Sequence, residues 1–347
     1  MSTPAESAAG APVRHEESQW ALLALMRFGL SAIVAVGHLG LFLPGEAGWI
    51  HAANLLDGKA AVIGFLMISG YSIHASLERE PDGFLLRRFL RVYPLYFLCV
   101  LFTCLVEFGT AGEVVAPHAV FTSLGPVVAV GNLLMLQMFV VKTIAFNGPL
   151  WSLSIEFFYY VLANYFGRRI KAALVVGGIS VVFFLLPRTD ALGPLYTLVT
   201  KMNFVTYFWP WLFGFLLWKW TSPMLIVGGA VGAAALAMAS AYTSGELAFL
   251  TCGAVVVLIY LARHVRFSPG WVRAFDVLGG LSYPLYLVHY PLLILLFVLT
   301  GATSPVPYVL ASLAASALLY YGVDKYVVPR YLKPLARRRL VRRPIAG

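Results

Sequence analysis

Long apolar runs, separated by short polar or basic stretches, dominate this chain. Eleven can be drawn, at roughly 20–43, 57–77, 89–108, 119–140, 148–166, 170–187, 200–218, 223–242, 246–263, 277–300 and 306–326. Each is about as long as an α-helix needs to be to cross the hydrocarbon core of a bilayer, some 20 residues. The pattern predicts an all-α fold: a polytopic transmembrane helical bundle of about ten spanning helices. The eleventh run, 119–140, is expected to be a re-entrant or outer-leaflet segment, since Gly125, Pro126 and Gly131 interrupt it.

Charge decides which run stays out of the count. If all runs but 119–140 cross and the N-terminus is cytoplasmic, most cations share one side. These are Arg14, Arg79, the Arg87/Arg88/Arg91 cluster, Arg168/Arg169/Lys171, Lys219, Arg263/Arg266/Arg273 and the tail from Lys325 onward. Only Lys59, Lys142, Arg188 and Lys201 fall on the other side, and Lys and Arg collect on the cytoplasmic side of membranes. Both termini are therefore expected in the cytoplasm. The organisation is a polar N-terminal segment (1–19), one membrane domain (20–328) and a basic tail (329–347).

Composition sharpens this reading. Of 347 residues, 60% are hydrophobic and only 12% charged, and the mean hydropathy is +0.83. Soluble domains carry roughly 25% charge, so a soluble enzyme, a disordered chain and a disulfide scaffold are excluded. The net charge of +10 is accounted for by cytoplasmic loops, and no nucleic-acid partner is expected. Cys99, Cys104 and Cys252 sit inside apolar runs with no zinc or CxxC spacing; they read as small core residues. No metal site, cleavable signal or internal repeat is evident.

Polar side chains are expensive in hydrocarbon, about 2.5–3.5 kcal/mol for Arg or Asp at a helix centre, and so mark candidate function. Arg27 and His38 lie on one face of the first helix, about 16 Å apart along its axis. They read either as a snorkelling Arg with a satisfied core His, or as an anion-binding Arg below a proton-transferring imidazole. Arg87, Arg88 and Arg91, followed by Tyr93, form either a cytoplasmic anchor or a phosphate clamp. Ser69-Gly70 and Ser72 read as helix packing, as do Gly228 and Gly232. Behind Trp151, an aromatic-belt candidate, Ser152, Glu156 and Tyr159/Tyr160 form one polar stripe. Ser282, Tyr286 and His289 form another, beside Pro284 and Pro291. A membrane Glu needs a cavity, or an Arg or His from another helix. GxSxG, HExxH, Walker and GxGxxG signatures are absent.

Taken together and in this order, these motifs over about 20–330 resemble acyltransferase family 3, the bacterial integral-membrane O-acyltransferases. They are Arg27 and His38, Ser69-Gly70, Arg87-Arg88-Phe-Leu-Arg91-Val-Tyr-Pro, Trp151-Ser-Leu-Ser-Ile-Glu156 and Ser282-Tyr-Pro-Leu-Tyr286-Leu-Val-His289. Where many members carry a second polar residue after the Glu at the position of Glu156, this chain has Phe157. The extracytoplasmic esterase-like domain of some relatives is not expected in this chain. The resemblance implies an enzyme of the inner (plasma) membrane that moves acetyl from acetyl-CoA to a hydroxyl of a cell-surface or exported carbohydrate or glycolipid. His38 would be general base or acyl carrier, with Glu156 orienting it and Arg27 holding charge. Arg87, Arg88, Arg91 and Tyr93 would hold the CoA. Ser69, Trp151, Ser152, Tyr286 and His289 would support the acceptor or the oxyanion. The competing expectations are a transporter or flippase for a lipid-linked sugar or small metabolite, which would need the same buried polar groups, and a scaffold of a polysaccharide-synthesis complex.

Overall fold

The computed structural model describes residues 15–43, 48–186, 202–220 and 222–334. Arg14, Arg188, Lys201 and the tail cations Arg337–Arg339, Arg342 and Arg343 lie outside the described residues. The chain opens with α1 (His15–Leu39), a short α2 (Gly48–Leu56), α3 (Gly58–Arg79) and α4 (Phe84–Gly109). A two-stranded antiparallel hairpin follows, β1 (Glu113–Ala116) on β2 (Ala119–Thr122), with Glu113 opposite Thr122. Then come α5 (Pro126–Leu133), a 3-10 turn (Ala145–Leu150), α6 (Trp151–Arg168) and α7 (Ile170–Leu185). After a one-turn helix at Asn203–Thr206 the chain forms α8 (Phe208–Leu217), α9 (Pro223–Ala239), α10 (Ala248–Leu261), α11 (Pro269–Thr300) and α12 (Pro305–Leu319). Residues Tyr320–Leu332 continue α12 with π-helical hydrogen bonding.

Ten of these helices take up the ten runs expected to be helical. By length and apolar composition, α1, α3, α4, α11 and the continuous Pro305–Leu332 helix are able to cross a membrane; α7, α9 and α10 are shorter apolar helices. Run 119–140 holds no such helix, because the glycines and Pro126 that break it divert it into β2, α5 and irregular turns. The polar segment drawn as 1–19 and the tail drawn from 329 are partly helical: His15–Gln19 form the first turns of α1, and Pro329–Leu332 belong to the π-helical stretch. α2 lies in a stretch assigned to no run.

Contacts between helices give their directions. Ser31 donates to the Ser282 carbonyl at 2.8 Å and His38 meets His289 at 3.1 Å, the same sequence offset of 251. A constant offset means that α1 and α11 run parallel. Their backbones come close because Gly279 sits on Ala24, where an added Cβ would stand 2.3 Å from the Ala24 Cβ. α3 and α8 are also parallel: Gly70 faces the Trp211 carbonyl, His74 the Phe215 carbonyl and Trp218 the Glu78 carboxylate. α4 and α6 are antiparallel, since Thr103 meets Asn147 while Arg88 lies 6.0 Å from the Tyr160 ring. The connection carrying the hairpin and α5 therefore leaves and re-enters at one end of the bundle.

The tightest crossing is α3 on α8. A Cβ at Gly70 would lie 2.0 Å from the Trp211 carbonyl, and one at Gly214 1.9 Å from the Met67 carbonyl. Neither backbone can yield, so both positions need glycine. Among the described residues, nothing packs on the Gly228/Gly232 pair: a Cβ at either would meet none of their atoms within 4 Å. At the hairpin end, the buried Asp57 carboxylate accepts from the amides of Lys59, Ala60, Ser244 and Gly245, pinning the start of α3 to the loop before α10.

Gly214→Ala is expected to abolish the monodisperse folded peak in detergent size-exclusion chromatography. Gly228→Ala, on a helix of the same bundle, should leave it unchanged.

Candidate active site

A cavity of about 150 Å³ opens among α1, α3, α4, α6, α11 and the π-helical stretch, in the half of the bundle away from the hairpin. Arg27, Arg88, Arg91, Glu156, Asp324, Ser69 and Ser72 line it with Tyr160 and Tyr286. Arg27 donates to Ser72 Oγ at 2.6 Å, and Ser72 donates in turn to the Ile68 carbonyl at 2.7 Å. Tyr160 donates to Glu156 at 2.5 Å. The Arg88 guanidinium rests over the rings of Phe84 (5.5 Å) and Tyr160 (6.0 Å). Among the described residues, no carboxylate is within ion-pair distance of Arg27, Arg88 or Arg91. Three guanidiniums against two carboxylates leave a cationic excess suited to a phosphate or another anion.

Ser152 and Tyr286 share a 2.7 Å hydrogen bond at the upper wall of the cavity, and Tyr286 also donates to the Pro149 carbonyl at 3.0 Å. One turn beyond Tyr286 stands His289, fully buried, with Nε2 3.1 Å from His38 Nδ1. The two imidazoles stack with centroids 5.2 Å apart, and Tyr290 meets His38 edge-on at 4.8 Å. Phe121 of the hairpin packs against Tyr290. The site is thus two layers: an arginine-lined cavity and, toward the hairpin, a histidine pair outside the cavity wall.

Prolines shape this region. Pro291 has no N–H for the Leu287 carbonyl four residues earlier. The Asn147 amide fills that vacancy at 3.0 Å and also donates to Thr103 at 3.1 Å. Asn147 thereby holds the start of α6, which carries Ser152 and Glu156, against α4 and α11.

The profile of the family described as Acyltransferase domain matches residues 21–323. The chain belongs to acyltransferase family 3. Over 128 residues it is also 34% identical to the acyltransferase MdmB of Streptomyces mycarofaciens, a stretch covering 35% of this chain and 31% of that relative. The chain thus matches about a third of the curated relative's length. No solved structure matches it. Among its described residues, no group of three or more His, Cys, Asp or Glu converges as a metal site.

Of the side chains singled out in this acyltransferase sequence, Arg27, Arg88, Arg91, Glu156, Ser69, Ser152 and Tyr286 come together on the cavity, and His38 joins His289 above it. Three do not join them. Arg87 turns to the loop before α4, pairing with Glu80 at 3.2 Å and donating to the carbonyls of Glu80 and Asp82. Tyr93 donates to the Leu133 carbonyl at 3.1 Å and stacks on Phe89. Trp151 packs on Tyr207, with ring centroids 4.8 Å apart. Asp324 was missed, because a carboxylate beside the basic tail carries no helical stripe to flag it. Asn147 was missed too, although Pro291 signalled a carbonyl in need of a donor.

Asn147→Leu leaves two buried acceptors unpaired, at about 1–3 kcal/mol each. The acyltransferase is expected to lose several degrees of thermal stability in detergent, whereas Asn147→Asp, which keeps the shape but not the donor, should recover little.

Proposed function

We propose that this acyltransferase moves an acetyl group from acetyl-CoA to a hydroxyl of a cell-surface or exported carbohydrate or glycolipid, with His38 as the reacting imidazole. The observation that carries the donor half is the cavity: Arg27, Arg88 and Arg91 face it without ion-pair partners among the described residues. CoA brings phosphates that match three forks. Its pantetheine arm would run past the Ser152–Tyr286 pair toward His38. The carbohydrate acceptor follows from the family resemblance alone.

The reaction balances without a metal. The acceptor oxygen attacks the thioester carbonyl while its proton goes to an imidazole nitrogen of His38. Hydroxyls such as Ser152 and Tyr286, which now donate within the protein, would have to turn to the tetrahedral oxyanion to stabilise it. The C–S bond then breaks, and the thiolate takes the proton from the imidazolium, giving ester and free CoA. Glu156, held by Tyr160 in the cavity, is suited to orienting the donor rather than His38, because the imidazole partner of His38 is His289.

The proposed membrane arrangement has ten crossings, with both termini in the cytoplasm and the enzyme in the bacterial inner membrane. The antiparallel α4 and α6 support a non-crossing 110–147, and so do the parallel pairs α3/α8 and α1/α11, each separated by an odd number of long helices. In a chain with its three cysteines replaced, Asp82→Cys and Pro117→Cys should label from opposite faces of sealed vesicles; labelling from one face rejects the arrangement.

His38→Ala is expected to lower kcat by at least about 10³-fold while the protein still inserts. Arg88→Met should raise the acetyl-CoA KM by about 10–100-fold, the worth of one lost charge-assisted bond, and Arg87→Met should change it little. Full activity in His38→Ala, read as acetyl transfer to glycan by mass, would reject the mechanism. Uptake of labelled sugar without acetyl-CoA would favour a transporter.

A further inference from the structure

The histidine pair carries a directional signal. His289 Nδ1 lies 2.9 Å from the Leu285 carbonyl. A carbonyl only accepts, so Nδ1 holds the proton, and in a neutral ring Nε2 is then a bare lone pair. That lone pair faces His38 Nδ1 at 3.1 Å. His38 must therefore donate from Nδ1, which leaves its own Nε2 unprotonated. His289 is fully buried among the helices, where a neutral ring costs least.

We infer that His289 is a positioning residue that locks His38 in the Nδ1–H tautomer, so that Nε2 is the atom that accepts the acceptor proton or carries the acyl group. The inference rests on reading His38 as the reacting imidazole. His289 does here with a neutral ring what a buried carboxylate does in a Ser–His–Asp triad: it fixes tautomer and orientation, and accepts from the imidazolium as charge develops. A neutral acceptor does so without the desolvation cost of a buried anion. The chain of bonds runs from the Leu285 carbonyl through both rings to His38 Nε2. The edge of Tyr290 blocks rotation of His38 from the side. His289 is fully buried while His38 is partly exposed, so the reactive edge of the pair belongs to His38.

The test uses the full-length protein in detergent or nanodiscs. With 15N-labelled histidine, the wild type should show His38 protonated at Nδ1 and bare at Nε2, and His289→Ala should show a tautomer mixture. His289→Ala is expected to lose about 10²-fold or more in kcat with the acetyl-CoA KM within about two-fold, and His289→Gln, whose amide oxygen can accept, should recover at least ten-fold of that loss. A His38 ring protonated at Nε2 in the wild type overturns the inference, even if every His289 variant fails to fold. So does a folded His289→Ala enzyme with kcat within two-fold of wild type. If instead His38→Ala remains active, the reading of His38 fails, whatever His289 does.

Discussion

The parallel contact of α1 with α11 is the constraint on which the rest of the site depends. One sequence offset of 251 carries Ser31 to Ser282 and His38 to His289. Such a register is possible only because Gly279 lets the Ala24 side of α1 approach its backbone. Hydrocarbon gives helices little reason to associate beyond close packing and internal hydrogen bonds. The small residues thus decide which helices touch, and the polar residues decide at what register. A slip of one turn would take from the Ser31 hydroxyl, His38 Nδ1 and His289 Nε2 their partners across the contact, in a medium that offers none.

From that contact the site builds outward. α3, locked against α8 through Gly70 and Gly214, forms one wall and aims Ser69 and Ser72 inward. α6, hung on Asn147, brings Ser152 and Glu156. α4 supplies Arg88 and Arg91 from its first turns. The hairpin closes over the histidine end through Phe121, which touches both Phe42 and Tyr290. The guanidiniums and the histidine pair therefore occupy separate layers, with the hydroxyls of Ser152 and Tyr286 between them.

Much of this was legible in the residue pattern, and the failures have physical reasons. Apolar run length marked ten helices, and the glycines and proline of 119–140 marked the exception. Helical spacing put Ser152 and Glu156 on one face, and likewise Tyr286 and His289, because periodicity is a property of a single helix. Pairing between helices is not, so nothing in one sequence linked His38 to a residue 251 positions later. Arg87 and Arg88 look alike in the chain. Only the short turn before α4 separates them, drawing Arg87 back to Glu80 while Arg88 points into the bundle. Gly228 and Gly232 have the spacing of a packing motif, but spacing alone does not say whether another helix lies opposite.

The guanidiniums of the cavity have a consequence for the protein's own cohesion. Like charges crowded in a half-buried space repel one another, and any anion that settles between them relieves that repulsion in the folded chain alone. Folding and occupancy are then thermodynamically linked: an occupant at a hundred times its dissociation constant adds about 2.7 kcal/mol. A bundle occupied in this way would draw part of its firmness from the supply of the anion, and its resistance to unfolding would rise and fall with that supply.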